Sequence, residues 1–310
     1  MTAVDRAAVD DAAGRVGGRV RETPTLEVDA AVLATPSPVI LKLELFQHTG
    51  SFKPRGAFNR VLSHPTDLPL VAASGGNHGI AVAHVARELE RRADVFVPET
   101  SDPVKVERLT ELGARVHQVG TNYAQSLVAT RRFLDTAEAL DVHAYDQPDV
   151  VAGQGTVGRE LLLQAGAVDT VVVAVGGGGL MAGVIAALDG EARVVAVEPE
   201  HCPTLHRALL AGAPVDVEVG GIAANSLGAS SIGRLAFAAA QQAAVESVLV
   251  TDDDIVAAQR RLWHAVRLVA EPGGAAAAAA LLSGAYRPAS DERVAVIVCG
   301  ANADLAAVVR

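Results

Sequence analysis

"VVVAVGGGGLMAGVIAAL", Val171–Leu188, decides the fold. The run holds 18 residues without a charge, formally long enough to suggest a membrane span. Four consecutive glycines, Gly176–Gly179, divide it into a short Val-rich strand and a short helix. Strands of a parallel sheet read as nearly pure Val/Ile/Leu because helices cover both faces. The stretch therefore predicts a buried strand–loop–helix unit, and with it an α/β protein.

The same rhythm extends outward on both sides. Upstream, "VILKLE" (39–44) reads as a strand, followed by a helix opening near Pro54, since proline suits a first helical turn. A regular alternation then begins at about residue 70: strands "LVAAS" (70–74), "DVFVP" (94–98), "RVHQV" (115–119) and "VHAY" (142–145). Between them, helices are expected over 79–92, over 104–112 with Gly113 as C-terminal cap, and over "SLVATRRFLDTAEAL" (126–140). Downstream, "GQGTVGRELLLQ" (153–164) opens a second series with strands "TVVVAV", "RVVAVEP" (193–199) and "AVIVC" (295–299). Thr251 and Asp254 are spaced as a capping box for the helix that follows them. "AAAAAALL" (275–282) reads as a buried helix. The chain thus divides into a small α/β domain, residues 67–147, inserted in a large one formed by 1–66 and 148–310.

Composition narrows the class. Half of the 310 residues are apolar but only 3% are aromatic, so the core rests on Ala, Val and Leu. A net charge of −10 without a basic cluster argues against nucleic acid or an anionic membrane as partner. Two cysteines, Cys202 and Cys299, make no disulfide framework and fit a reducing cytoplasm. The N-terminal "MTAVDRAAVDDAAGRV" is acidic where a secretory leader is basic and apolar.

Three loops carry chemistry. "VGGGGL" (175–180) offers bare backbone amides at a helix N-terminus, a cradle for phosphate. Gly177, Gly179 and Ala182 also fit G-x-G-x-x-A, and Glu198 follows 21 residues on, where a dinucleotide fold places its ribose-binding acid. Close strand–helix packing explains the same glycines. "SGGNHG" (74–79) sets Ser, Asn and His donors at the mouth of another strand, although a plain helix cap by Ser74 or Asn77 accounts for it alone. The third loop is "HTGSFKPRGA" (48–57), which seats Lys53 just before a helix. The positive end of that helix disfavours an ammonium, and burial would lower its pKa further, as an imine-forming lysine requires. A solvated surface lysine is the ordinary alternative. Together, a lysine amine, a phosphate cradle and a Ser/Asn loop are the parts that hold pyridoxal phosphate as an imine, and a dinucleotide needs neither the first nor the third.

With "TGSFKPRGA", "SGGNHG", "AGQGT" (152–156), "VGGGGL", "EPGGA" (271–275) and "CGAN" (299–302) in this order, the chain resembles the threonine/serine dehydratases and serine racemases. These are fold-type-II pyridoxal-phosphate enzymes, and the likeness spans about residues 20–302. It implies two α/β domains with parallel and mixed sheets and the cofactor in the cleft between them. It also implies a homodimer, and β-elimination of L-threonine or L-serine to 2-oxobutanoate or pyruvate plus ammonia. Position by position, the resemblance makes Lys53 the lysine joined to the cofactor and lays Phe52 against the ring. Asn77 would bond the ring hydroxyl, and Gly176, Gly177, Gly178, Gly179 and Leu180 would bind the phosphate. Cys299 would face the ring nitrogen; Ser74, Asn77 and His78 would meet the substrate.

Departures from the family pattern qualify this. Gly75 stands where racemases carry a second serine, so elimination rather than racemisation is expected, with serine racemase and a 3-hydroxyaspartate-type lyase as alternatives. Glu198 matches one ligand of the racemase metal site, but Thr204 stands where an aspartate is needed, so no metal is expected. "AANSLGASSIG" (223–233) carries Asn225 and Ser226 where relatives have Asp and Gly, which leaves substrate preference open. The chain ends at Arg310, short of the regulatory domain of isoleucine-inhibited relatives, so no isoleucine response is expected.

Overall fold

In the computed structural model, which describes residues 4–121 and 123–308, the Val-rich stretch forms strand Thr170–Ala174 and helix Gly179–Leu188 around the glycine loop. The first three residues of the acidic N-terminal stretch and Arg310 lie outside the described residues.

Among the described residues, ten strands follow along the chain: Thr25–Val28 (β1), Val39–Lys42 (β2), Leu70–Ala73 (β3), Ala93–Val97 (β4), Arg115–Gln118 (β5), Leu140–Asp141 (β6), Thr170–Ala174 (β7), Arg193–Pro199 (β8), Glu246–Val250 (β9) and Val294–Ile297 (β10). They form a six-stranded sheet, β1-β2-β10-β7-β8-β9, and a four-stranded sheet, β5-β4-β3-β6. The smaller sheet is wholly parallel; in the larger, β1 runs antiparallel to β2 and the other pairs are parallel. The order β2-β10-β7 sets three strand C-termini side by side, and these lead to Lys53, Cys299 and the glycine loop. Ligands of open α/β sheets bind outside the carboxyl ends of strands, where connections diverge.

Each sheet has its own apolar cluster. The six alanines 275–280, all fully buried, lie in the middle of helix Pro272–Ser283. Methyl side chains let that helix approach the large sheet closely, which is how a core poor in aromatics fills its volume. Thr251 and Asp254 form the capping box expected of them. No helix among the described residues is long and apolar enough to cross a membrane.

Three sequence expectations fail in the segment before residue 148. The helix expected over 79–92 is Asn77–Glu88. The helix expected to run to Leu140 is Tyr123–Thr136. Leu140 instead pairs with Leu70, and its amide donates to Pro69 O at 2.8 Å. The sheet's open edge outweighs the helical preference of "AEAL". The strand expected over "VHAY" lies two residues earlier: β6 is Leu140–Asp141, Val142 N still donates to Val71 O at 2.9 Å, and the chain then turns at Ala144–Tyr145.

A buried ionic cluster fixes the helix that carries Lys53. Arg55, fully buried, donates from Nε to Glu44 Oε2 and from Nη1 to Glu160 Oε1, both at 2.7 Å. Lys42 Nζ donates to Glu160 Oε2 at 2.8 Å. The cluster ties β2, helix Lys53–Leu62 and helix Pro148–Ala165 together, with two cations against two carboxylates.

Candidate active site

Lys53 is the first residue of helix Lys53–Leu62, with Pro54 in its opening turn. The preceding segment is strapped to the chain after β10: Phe52 N donates to Cys299 O at 3.2 Å, and Ala301 N to Gly50 O at 2.9 Å. Lys53 therefore stands beside Cys299. Its Nζ donates to the Ala144 carbonyl at 2.8 Å and lies 5.0 Å from the Phe52 ring centroid. Burial lowers the amine from 10.5 to about 8, partly opposed by Cys299 and Glu271. The chain has three lysines, Lys42, Lys53 and Lys105, and Lys42 is already bound to Glu160.

One cavity of about 470 Å³ gathers much of the candidate set. Lys53, Ser74, Asn77, His78 and Gly177 line it, facing Asn225 and Ser226. Helix Asn77–Glu88 begins there without a side-chain cap, because Gly76 holds the cap position, so its positive end faces the cavity. Ser74 Oγ accepts from Gly76 N at 3.2 Å, which leaves its proton to donate. A Cβ at Gly79 would lie 1.8 Å from Ser74 O, so the loop closes only with glycine there. His78 is held differently: its Nε2 donates to Val142 O at 2.7 Å, and burial lowers its pKa to about 3. It presents a neutral ring.

The glycine loop enters helix Gly179–Leu188 through Gly178, at φ +84° and again without a side-chain cap. Each glycine is also packed against its neighbours. A Cβ on Gly177 would lie 2.2 Å from the Tyr145 ring, one on Gly176 2.8 Å from Leu227 O, and one on Gly178 2.5 Å from Ala236 Cβ. Close packing and exposed amides are thus two consequences of the same side-chain-free loop. Leu180 is buried behind it.

Cys299 is buried, with Sγ 3.4 Å from Gly273 O. Burial and the neighbouring Glu271 raise its pKa, so it is a neutral thiol. Glu271 itself, raised by burial to about 7, accepts from Asn77 Nδ2 at 2.6 Å. Asn77 Oδ1 accepts from Asn302 Nδ2 at 2.7 Å, and Arg108 Nη1 donates to Asn302 Oδ1 at 2.9 Å. Glu271, Asn302 and Arg108 receive no role from sequence. Glu271 and Asn302 lie in "EPGGA" and "CGAN", motifs legible in the sequence without a role for either residue; Arg108 carries no signal.

Glu198, the possible metal ligand, turns its carboxylate onto helix Thr204–Ala211. Oε1 accepts from Leu205 N at 2.7 Å and Thr204 Oγ1 at 3.0 Å, and Oε2 from His206 N at 2.8 Å.

The donor set fits pyridoxal phosphate. An uncapped glycine-loop helix end suits its phosphate, a buried amine of lowered pKa suits its aldehyde, and a neutral thiol lies within the same strapped segment.

Comparison with known proteins agrees. The family model of pyridoxal-phosphate dependent enzymes matches residues 16–300. A phenylserine dehydratase of Ralstonia pickettii is 34% identical, covering 100% of this chain and 98% of that protein. Among solved structures, a T.th. threonine deaminase is 32% identical with a TM-score of 0.90, covering 97% of this chain and 99% of that one. Maize serine racemase is 27% identical with a TM-score of 0.91, covering 98% and 95%.

Proposed function

We propose, because the chain belongs to the pyridoxal-phosphate dependent enzymes, that it is an ammonia-lyase. It would convert L-threonine or L-serine to 2-oxobutanoate or pyruvate plus ammonia. The observation that carries this reading is Lys53: an amine lowered to about 8 by burial, in one cavity with the Ser74–His78 loop and Gly177. Relatives named threonine deaminase and phenylserine dehydratase support the substrate class, since threonine and phenylserine are both 3-hydroxy amino acids.

When bound, the cofactor supplies an electron sink next to the substrate nitrogen, which acidifies the Cα–H bond. Lys53 would hold it, with Asn77, Phe52, Cys299 and Gly176–Leu180 around it. The Ser74 hydroxyl and the open end of helix Asn77–Glu88 would receive the substrate carboxylate. The neutral Lys53 amine would take the Cα proton and pass it to the β-oxygen, which keeps the electrons of the breaking carbon–oxygen bond and departs as water. The freed enamine tautomerises to an imine, and one water hydrolyses it to the 2-oxo acid and ammonium. Cys299, a thiol kept neutral by burial, would offer a bound pyridine nitrogen no negative charge, which would favour elimination over reactions that store charge in the ring.

Gly75 supports elimination over racemisation, since it has no proton to give from the opposite face. Residues 67–147 and the two flanking segments serve as small and large domains, and the active form is a cytoplasmic homodimer. The test is a panel of 3-hydroxy amino acids with 2-oxo acid release and chiral chromatography on L-serine. The reading expects pyruvate to exceed D-serine; the reverse would make the protein a racemase, and no release from any member would refute a lyase.

A further inference from the structure

The turn His143–Gln147 meets the candidate site at Lys53 and at the glycine loop, and is tied to the helix beside that loop. Ala144 O accepts from Lys53 Nζ at 2.8 Å. The Tyr145 ring covers Gly177, and Tyr145 O would lie 2.8 Å from a Cβ on Gly179. Asp146 Oδ1 accepts from Leu235 N at 3.0 Å, in the first turn of helix Arg234–Gln242. These residues lie between β6 and helix Pro148–Ala165, outside both. His143 holds them: its Nδ1 accepts from Tyr145 N at 3.3 Å and from Asp146 N at 3.0 Å. Its ring also meets Tyr145 edge-on, with centroids 4.8 Å apart and planes at 80°. Behind it, Gln147 Oε1 accepts from His143 N at 3.0 Å, and Gln147 Nε2 donates to Asp141 Oδ2 at 3.2 Å.

We propose that His143 is a positioning residue, whose unprotonated Nδ1 folds the turn that presents the Ala144 carbonyl to the Lys53 amine and lays Tyr145 on the glycine loop. The inference rests on reading Lys53 as the reacting amine. A nitrogen that accepts two amides carries no proton, so the turn requires the neutral imidazole. Burial keeps the ring neutral, and so do Lys53 and Arg131; Asp141 and Asp146 oppose them. His78 lies near enough for the two rings to disfavour charging one another. Without the turn, water reaches the Lys53 amine, and relief of its burial outweighs the lost Ala144 acceptor, so its pKa moves back toward the ordinary lysine value.

The variants H143A and H143N separate the acceptor from the bulk of the ring, since the Asn amide oxygen can stand close to the place of Nδ1. Acetylation of Lys53 in cofactor-free full-length protein is followed by peptide mass spectrometry from pH 6 to 11. In H143A the profile moves up by ~1 pH unit, a tenfold loss of free amine below the midpoint, and pyridoxal phosphate binds more weakly in a visible-absorbance titration. H143N restores both. A wild-type profile in H143A overturns the proposal, and so does H143N shifted as far as H143A. If H143A does not fold, H143N alone decides: a wild-type profile supports the acceptor role, a shifted one overturns it. Failure of the underlying reading is distinguishable, because wild-type protein would then carry no pyridoxal phosphate on Lys53.

Discussion

At the residue scale, the site is governed by three groups whose burial works against charge. Lys53 is pushed down to about 8 and Glu271 up to about 7, while Cys299 is raised as a thiol. Low polarity disfavours whichever form is charged, so the amine and the acids move toward each other. Glu271 has a consequence for stability. Its carboxyl ordinarily titrates at 4.5, so the folded protein keeps a proton that the unfolded chain releases. The stabilisation is complete below about 4.5 and is lost as pH rises through about 7. Glu198, also raised by burial to about 7, adds to the same slope. Glu271→Gln keeps an acceptor for Asn77 without titrating, so its melting temperature should fall less between pH 5 and 7, by roughly a few °C. An identical decline in both proteins would show that Glu271 is ionised throughout that range.

At the element scale, helix Lys53–Leu62 is aimed by ion pairs it shares with β2 and helix Pro148–Ala165. Arg55→Met should leave Glu44 buried opposite one cation fewer, costing about 3–5 kcal/mol in urea unfolding; a loss under about 1 kcal/mol would mean that water enters and solvates Glu44. Elements of this kind differ in how far sequence reveals them. The Val run of β7 and the alanines of helix Pro272–Ser283 are legible because burial selects composition directly. The glycine loop and the Ser74–Gly79 loop are legible because close backbone approach excludes side chains. The turn His143–Gln147 is not, since its shape comes from side-chain acceptors on backbone amides, and "VHAY" has the alternation of a strand. Glu271 and Asn302 stand in legible motifs, but their meeting with Asn77 is set by the order of the sheet strands, a long-range property that neither motif reveals. Leu140 is illegible for a similar reason: the open edge beside β3 claims it against a helical pattern.

At the scale of the whole molecule, two sheets present the carboxyl ends of their strands to a common cleft. The large sheet brings Lys53, Cys299 and the glycine loop, the small one the Ser74–His78 loop. No single strand supplies a working site, and the chain passes between the two sheets at the turn where Ala144 meets Lys53. Such a site works only if Lys53 carries the cofactor. Borohydride reduction of the purified protein, followed by peptide mass spectrometry, tests this directly. The expected result is a yellow protein with the pyridoxyl phosphate mass increment on Lys53 and on neither Lys42 nor Lys105, and no increment in Lys53→Ala. A colourless wild-type protein without pyridoxal phosphate, or an increment on Lys105 in its place, would contradict it.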